Sequence, residues 1–354
     1  MMRTFEKITV CLDMAGCPNR CRHCWLGVTP NGRLDAEDLR YTAEAFRPHA
    51  RGLSVFSWYR EPDYLNNYQE LYVLENRLST TVTPHYELMS YWRAVRDPAY
   101  VPWLRTLNMK ACQLTLFGAE ETTDDHCGRK GAYQEILQAA ELLLENGIAP
   151  RFQIFVHQKN VDELPFLEEL FQKKEYARRV KDIGQELAVF VHQGSCDGES
   201  EKQYEIWLTP ESVKRIPETL AASTLKHFQK QDLSDVFGQT EEALYQPLVN
   251  DASTQDFVSN TPVFFIDKDF YVYPNITTPY PWWRLGHLKT DGCEAILQKY
   301  IGNASPAQRI AKTISIGDMV KACGDAGSQR LFLKEDYLSY LLNRYCRAHW
   351  QEWI

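Results

Sequence analysis

The sequence contains no apolar run of about 18 residues, the length a membrane helix needs, and no charged-then-apolar opening segment of the kind that directs secretion. It also lacks internal repeats, low-complexity tracts and any stripe of basic residues. A membrane span is thereby unexpected. The 39 basic against 47 acidic residues give a net charge of −8, the wrong sign and pattern for gripping a phosphate backbone. Neither nucleic acid nor membrane is an expected partner, and the chain reads as a soluble, cytoplasmic protein.

What is present is a chain of 354 residues, long enough for one large domain or two average ones. It carries ten cysteines, and without a secretion signal these point to a reducing compartment, where thiols stay free or bind metal. Cys11, Cys112, Cys127, Cys196, Cys293, Cys323 and Cys346 stand far apart. Cys17, Cys21 and Cys24 crowd into "GCPNRCRHCWLG".

Short β-rich runs alternate with helical patterns, the mark of βα units and a parallel sheet. Strands are expected at 7–13, 52–58, 86–92, 111–118, 151–158 and 186–194, with helices over 35–46, 66–79, 100–109, 132–147 and 162–174. The expected fold class is α/β: a partial (β/α)6 TIM-like barrel over residues 1–205, with its site at the C-terminal ends of the strands. A C-terminal α+β extension is expected over 206–354. Its expected parts are a helix near 210–222, a polar irregular stretch at 228–260, a hairpin from "VFFID" and "YVYPN", and helices near 291–301, 305–322 and 335–349.

Three thiolates on one short loop converge on a single soft metal centre, either zinc or an iron–sulfur cluster. A structural zinc site needs a fourth ligand, and Cys11 in a strand or His23 inside the loop are both awkward donors. A [4Fe-4S] cluster on three cysteines accounts better for the count, because one iron stays open for a substrate or cofactor.

Cys17-x3-Cys21-x2-Cys24 after the first strand of a βα barrel resembles the radical S-adenosylmethionine (SAM) superfamily. That resemblance implies a [4Fe-4S] cluster held by the three cysteines, with SAM on the open iron. It also implies a reductant such as flavodoxin or ferredoxin, anaerobic chemistry, and a 5′-deoxyadenosyl radical that takes hydrogen from an organic substrate. "YREP" at 59–62 is similar to the family's Gly-Gly-Glu-Pro segment for the SAM amino group, with Glu61 and Pro62 matching and Tyr59 and Arg60 replacing glycines. "LTLFGAEETTDDHCGRKGAYQ" resembles the fourth-strand segment of the SPASM/twitch-type branch. By that likeness Thr115 faces the SAM ribose or carboxylate and Arg129 pairs with the carboxylate; the plainer readings are a β-former and a solvated loop residue. Gln153 and His192 resemble ribose and adenine positions by place alone, His192 being either a proton carrier or a structural histidine. His23 would lean near the adenine.

"FFIDKDFYVYPN…WWRLGHL" is similar to the hairpin of the SPASM/twitch extension, but Asn275 stands where that pattern has a cysteine, so an extension without an auxiliary cluster is expected. Epimerases of the superfamily return hydrogen from a thiol, which makes Cys196 and Cys127 candidate donors. Trp58, Tyr59, Arg60, Trp92 and Arg93 are expected at strand ends around the barrel mouth. The triad begins at residue 17, leaving no room ahead of it for a peptide-grasping segment, so a small polar substrate is expected. A peptide substrate is the alternative within the same chemistry, and a non-catalytic metal or electron-transfer protein is the alternative outside it.

Overall fold

The computed structural model describes residues 4–274 and 278–354; Asn275 lies outside them. β1 (Phe5–Leu12) fully buries Phe5, Ile8, Val10 and Leu12, as a strand covered on both faces must. It pairs in parallel with β2 (Ala50–Phe56), from Phe5↔Ala50 to Cys11↔Phe56. A second parallel sheet joins β3 (Ala111–Leu116), β4 (Ala149–Phe155) and β5 (Ala188–His192), with Thr115 opposite Gln153 and Gln153 opposite Phe190. On β3, Cys112, Leu114 and Leu116 are buried, whereas Gln113 and Thr115 alternate onto the half-open inner face. The helix Ala132–Glu145 carries Ile136, Ala139, Ala140 and Leu143 fully buried, the 3.6-residue stripe read from its sequence.

The strand expected at 86–92 is absent apart from one parallel bridge, Leu88 to Gln113. Two local interactions explain this. The Ser90 hydroxyl accepts from the Arg93 N–H and caps the helix Tyr91–Ala94, which ends any strand there. On the open edge of β2, the Leu53 and Val55 N–H groups donate to Thr80 Oγ1 (2.6 Å) and Ser79 Oγ (3.0 Å), so side-chain hydroxyls take donors a third strand would have used. The barrel is therefore partial, with five full parallel strands of its own and a single residue in the third place. Trp92 and Arg93 follow this correction. They lie on the capped helix rather than at a strand end, and Arg93 is buried, donating to Asp63 O and Tyr64 O.

The stretch 228–260, expected to be irregular, contains the helices Ser234–Phe237 and Glu241–Leu248. The second is capped by Thr240 Oγ1 on Ala243 N. Just before it, β6 (Gln239–Thr240) pairs antiparallel with β10 (Leu331–Phe332). Pro217 and Ser315 split two expected helices, giving Pro210–Val213 with Glu218–Phe228 and Pro306–Thr313 with Ile316–Cys323. Both residues are N-caps with extended backbone, and proline cannot continue a hydrogen-bonded helix.

The expected hairpin forms as β7 (Val263–Ile266) and β8 (Tyr271–Tyr273), extended by β9 (Gly286–His287). β7 also pairs in parallel with β1, from Thr9↔Val263 to Leu12↔Ile266. The sheet order is β2-β1-β7-β8-β9, so strands from the last third of the chain continue the barrel sheet. Among the described residues no helix is long and apolar enough to cross a membrane.

Candidate functional site

Beyond Leu12 the chain runs without helix or strand until Asp35, whose carboxylate accepts from Glu37 N and Asp38 N and caps the helix Ala36–Phe46. Other elements hold this loop through its backbone. Arg20 N and Arg22 N donate to Cys127 O (2.9 Å) and His126 O (2.8 Å), at the end of the helix Glu120–Cys127. Glu199 N donates to Cys24 O at 3.0 Å. Asn31 closes the loop on itself, accepting from Cys17 N and donating to Cys17 O, both at 3.3 Å. A loop pinned at this many points keeps its three thiols in place before any metal arrives.

Cys17, Cys21 and Cys24 line one cavity of about 220 Å³ at the C-terminal ends of β1 to β3. Burial, then the neighbouring Glu61 carboxylate, pushes the Cys17 thiol well above its ordinary range. Burial raises Cys24 as well. Cys21 is raised by its contact with Cys127 and by burial. Three neutral thiols held together in this way become thiolates when a cationic centre supplies the compensating charge.

The donor set fits an iron–sulfur cluster with SAM on other grounds too. A cluster asks for sulfurs around an open space, one for each of three irons, and the three cysteines line such a space. Three residues of the cavity wall carry a buried polar atom with no hydrogen-bond partner: His23 Nδ1, Arg60 Nε and Glu61 Oε1. Orphaned polar atoms of this kind are the ones a polar ligand satisfies. Glu61 Oε2 takes the Cys17 Sγ contact at 3.8 Å, and burial lifts the Glu61 carboxyl to about 7.

Other expected residues divide between wall and support. Thr115 and Cys127 line the cavity, and His23 lies against the rings of Phe117 (4.6 Å) and Phe155 (4.1 Å). Arg129 is committed elsewhere, donating from Nε to Asn19 (2.9 Å) and from Nη2 to Glu135 (2.6 Å), so it braces the wall residue Asn19. Gln153 and His192 form a row with Gln113 across the inner face: Gln113 donates to Gln153 at 2.5 Å, and Gln153 Nε2 meets His192 Nδ1 at 3.2 Å. Burial, then nearby His227, lowers His192 to about 4, which keeps it neutral in this row. Tyr59 stacks on Phe265 with ring centroids 3.5 Å apart, and Arg60 pairs with Asp13. Cys196 is only 2% exposed and packs with Trp207, Phe332 and Tyr340 in a core that also takes in Leu26 and touches Cys24, but it does not itself line this cavity.

The wall also contains Asn19, Tyr91 and Gln113, which sequence reasoning did not single out. Gln113 was within reach, since it shares a strand face with Thr115 by the two-residue period. Asp13 had no linear signal: its role depends on Arg60, 47 positions away.

A second and larger chamber, of about 690 Å³, adjoins the first and shares Trp25, Leu26, Arg60 and Leu88 with it. Its walls include Phe56, Trp58 and Tyr86 in mutual ring contact. Val82 at 77% and Tyr86 at 49% exposure mark its mouth, beside the place where the third strand is absent.

Residues 12–170 match the family model described as Radical SAM superfamily. No curated protein matches the chain. Among solved structures, native anSMEcpe with bound AdoMet is similar at 14% identity and a TM-score of 0.53, covering 98% of each chain. The same protein with AdoMet and the Kp18Cys peptide gives the same values. Streptococcus suis SuiB bound to its precursor peptide SuiA is 13% identical over 77% of this chain and 60% of that one, with a TM-score of 0.43. At these identities the likeness is one of fold.

Proposed function

We propose that this chain, whose residues 12–170 match the radical SAM family model, is a radical SAM enzyme that uses a [4Fe-4S] cluster and SAM and acts on a peptide segment presenting an apolar or aromatic side chain. Cys17, Cys21 and Cys24 would hold the cluster. When bound and reduced, the pair supplies one-electron cleavage of SAM to methionine and a 5′-deoxyadenosyl radical that takes a hydrogen atom from the substrate.

The chain's own residues do the rest. The unpartnered atoms of His23 and Glu61 are available to orient the cofactor, and Thr115 adds a hydroxyl on the β3 side. Phe117 and Phe155 pack His23 and keep water away from that side of the cavity. Cys127 lies in the same wall with its sulfur accepting from the Tyr91 hydroxyl at 3.8 Å, and of the two candidate thiols it is the one that lines this cavity, which supports it as the hydrogen-atom donor.

The observation that carries the substrate reading is the chamber of about 690 Å³, aromatic-walled, joined to the cysteine cavity and open to solvent at Val82 and Tyr86. Such a wall suits an apolar or aromatic group better than a small polar molecule. The peptide seen with AdoMet in anSMEcpe, a protein of the same overall fold, supports a peptide as the carrier of that group.

The test is anaerobic reconstitution with iron, sulfide, SAM and dithionite, then incubation with peptides that differ only in one Leu, Phe, Tyr, Trp or Ser. The expected result is 5′-deoxyadenosine whose yield rises with the apolar and aromatic peptides, together with a mass change in the peptide. Stimulation by small polar molecules and by no peptide would refute the peptide reading. A reconstituted protein that never forms 5′-deoxyadenosine would refute catalysis altogether.

A further inference from the structure

Arg60 is a cation buried in the wall of the cysteine cavity. Its side chain and that of Asp13 are each 3% exposed, and the two form an ion pair at 3.0 Å. Arg60 Nη1 also donates to Thr29 O at 2.9 Å. Asp13 precedes the three cysteines and Thr29 follows them, so one guanidinium ties together the two ends of the cysteine loop. Gly16 makes room for it: at φ +91° a Cβ there would lie 2.5 Å from Arg60 Nη2 and 2.2 Å from Asn31 Oδ1.

The pair also has a direction. Arg60 lines the cysteine cavity, while Asp13 lies behind it on the wall of a separate small cavity. The positive end of the pair thus faces the cavity that Cys17, Cys21 and Cys24 line. The Arg60 Nε–H, buried and without a partner, is a further donor available to a sulfur or carboxylate acceptor.

We propose that Arg60, oriented by Asp13, is a positioning residue that clamps the cysteine loop and holds positive charge against the cluster, raising the cluster's reduction potential. Reduction adds an electron beside the guanidinium, and in a buried site that attraction is weakly screened. Net charge and donors to the sulfurs are the protein's means of setting such a potential. The inference rests on the three cysteines holding the cluster.

The test uses the anaerobically reconstituted full chain, with iron and sulfide measured per chain and the midpoint potential taken from a redox titration followed by the EPR signal of the reduced cluster. Arg60→Met is expected to shift the midpoint to lower potential and reduce cluster loading. Arg60→Lys keeps the charge without the two-armed clamp, so its midpoint is expected near that of the natural chain with loading reduced. Asp13→Asn removes the countercharge and is expected to shift the midpoint upward.

Opposite shifts from the two partners of one ion pair are the signature of charge, because simple loosening of the loop would move both variants the same way. If Arg60→Met fails to fold or load, Asp13→Asn decides: an unchanged or lowered midpoint overturns the proposal. A natural chain that takes up no cluster overturns the cofactor assignment together with this inference, and is recognised by the absence of signal before any substitution.

Discussion

His126 and His157 meet through their Nε2 atoms at 2.7 Å, with rings stacked 4.7 Å apart, beside the helix that pins the cysteine loop. The network assigns the protons. His126 Nδ1 donates to Thr122 O (2.9 Å), leaving its Nε2 as acceptor, while His157 Nδ1 accepts from Lys159 N (3.1 Å), leaving its Nε2–H as donor. All four nitrogens are satisfied only while both rings are neutral. Burial, then neighbouring His126, lowers His157 to about 3, and burial lowers His126. The unfolded chain takes up the proton first as pH falls below the ordinary histidine value, so stability is lost between about pH 6.5 and 3. Glu75, raised to about 7 chiefly by burial, acts in the opposite sense, so the informative quantity is a difference between proteins. His157→Gln is expected to flatten the loss by about 2 kcal/mol between pH 7 and 5 relative to the natural chain, measured by denaturant unfolding at each pH. Equal pH slopes in the two proteins would remove the neutral pair from the account. Nothing in the sequence paired these histidines, since 31 positions separate them, one in the helix Glu120–Cys127 and the other just after β4.

At the scale of elements, the hairpin does what its sequence shape alone does not announce. Phe264 and Ile266 of β7 turn into the core with β1, while Phe265 on the other face stacks on Tyr59, two residues before Glu61. The hairpin therefore packs directly behind the segment that reaches the cysteine cavity. Phe265→Ala is expected to cost about 3–5 kcal/mol, the range for a fully buried phenylalanine, read as a lowered denaturant midpoint with an unchanged m-value. A cost below about 1 kcal/mol would mean that the stack contributes little to the fold. The misread third strand teaches the converse. "YELMSYW" has strand-forming residues, yet Ser90 caps a helix inside it and hydroxyls from Ser79 and Thr80 satisfy the edge it would have joined. Local competition of this kind is invisible to a pattern of apolar and polar residues.

The molecule as a whole is joined by β7 on β1. A chain cut after residue 205 would lose the partner along Thr9 to Leu12 and expose that edge together with the apolar side chains that Phe264 and Ile266 cover. Such a fragment is expected to be insoluble, or to lack a cooperative unfolding transition by circular dichroism. A soluble fragment that unfolds cooperatively and loads iron would show that the first 205 residues stand alone.

The sequence by itself determined the chemistry that is local. Three cysteines within eight residues on the loop after an apolar strand mark the candidate cluster site, and period-two and period-3.6 patterns identify most strands and helices, because each depends on neighbours a few residues apart. The tertiary structure alone decided everything that depends on approach across the fold. It set Asp13 against Arg60, Arg129 against Asn19 and Glu135, Cys127 rather than Cys196 in the cavity wall, and β7 beside β1. These partners are distant in the chain, and which of them meet is settled by strand register and buried packing rather than by the spacing of residues along the sequence.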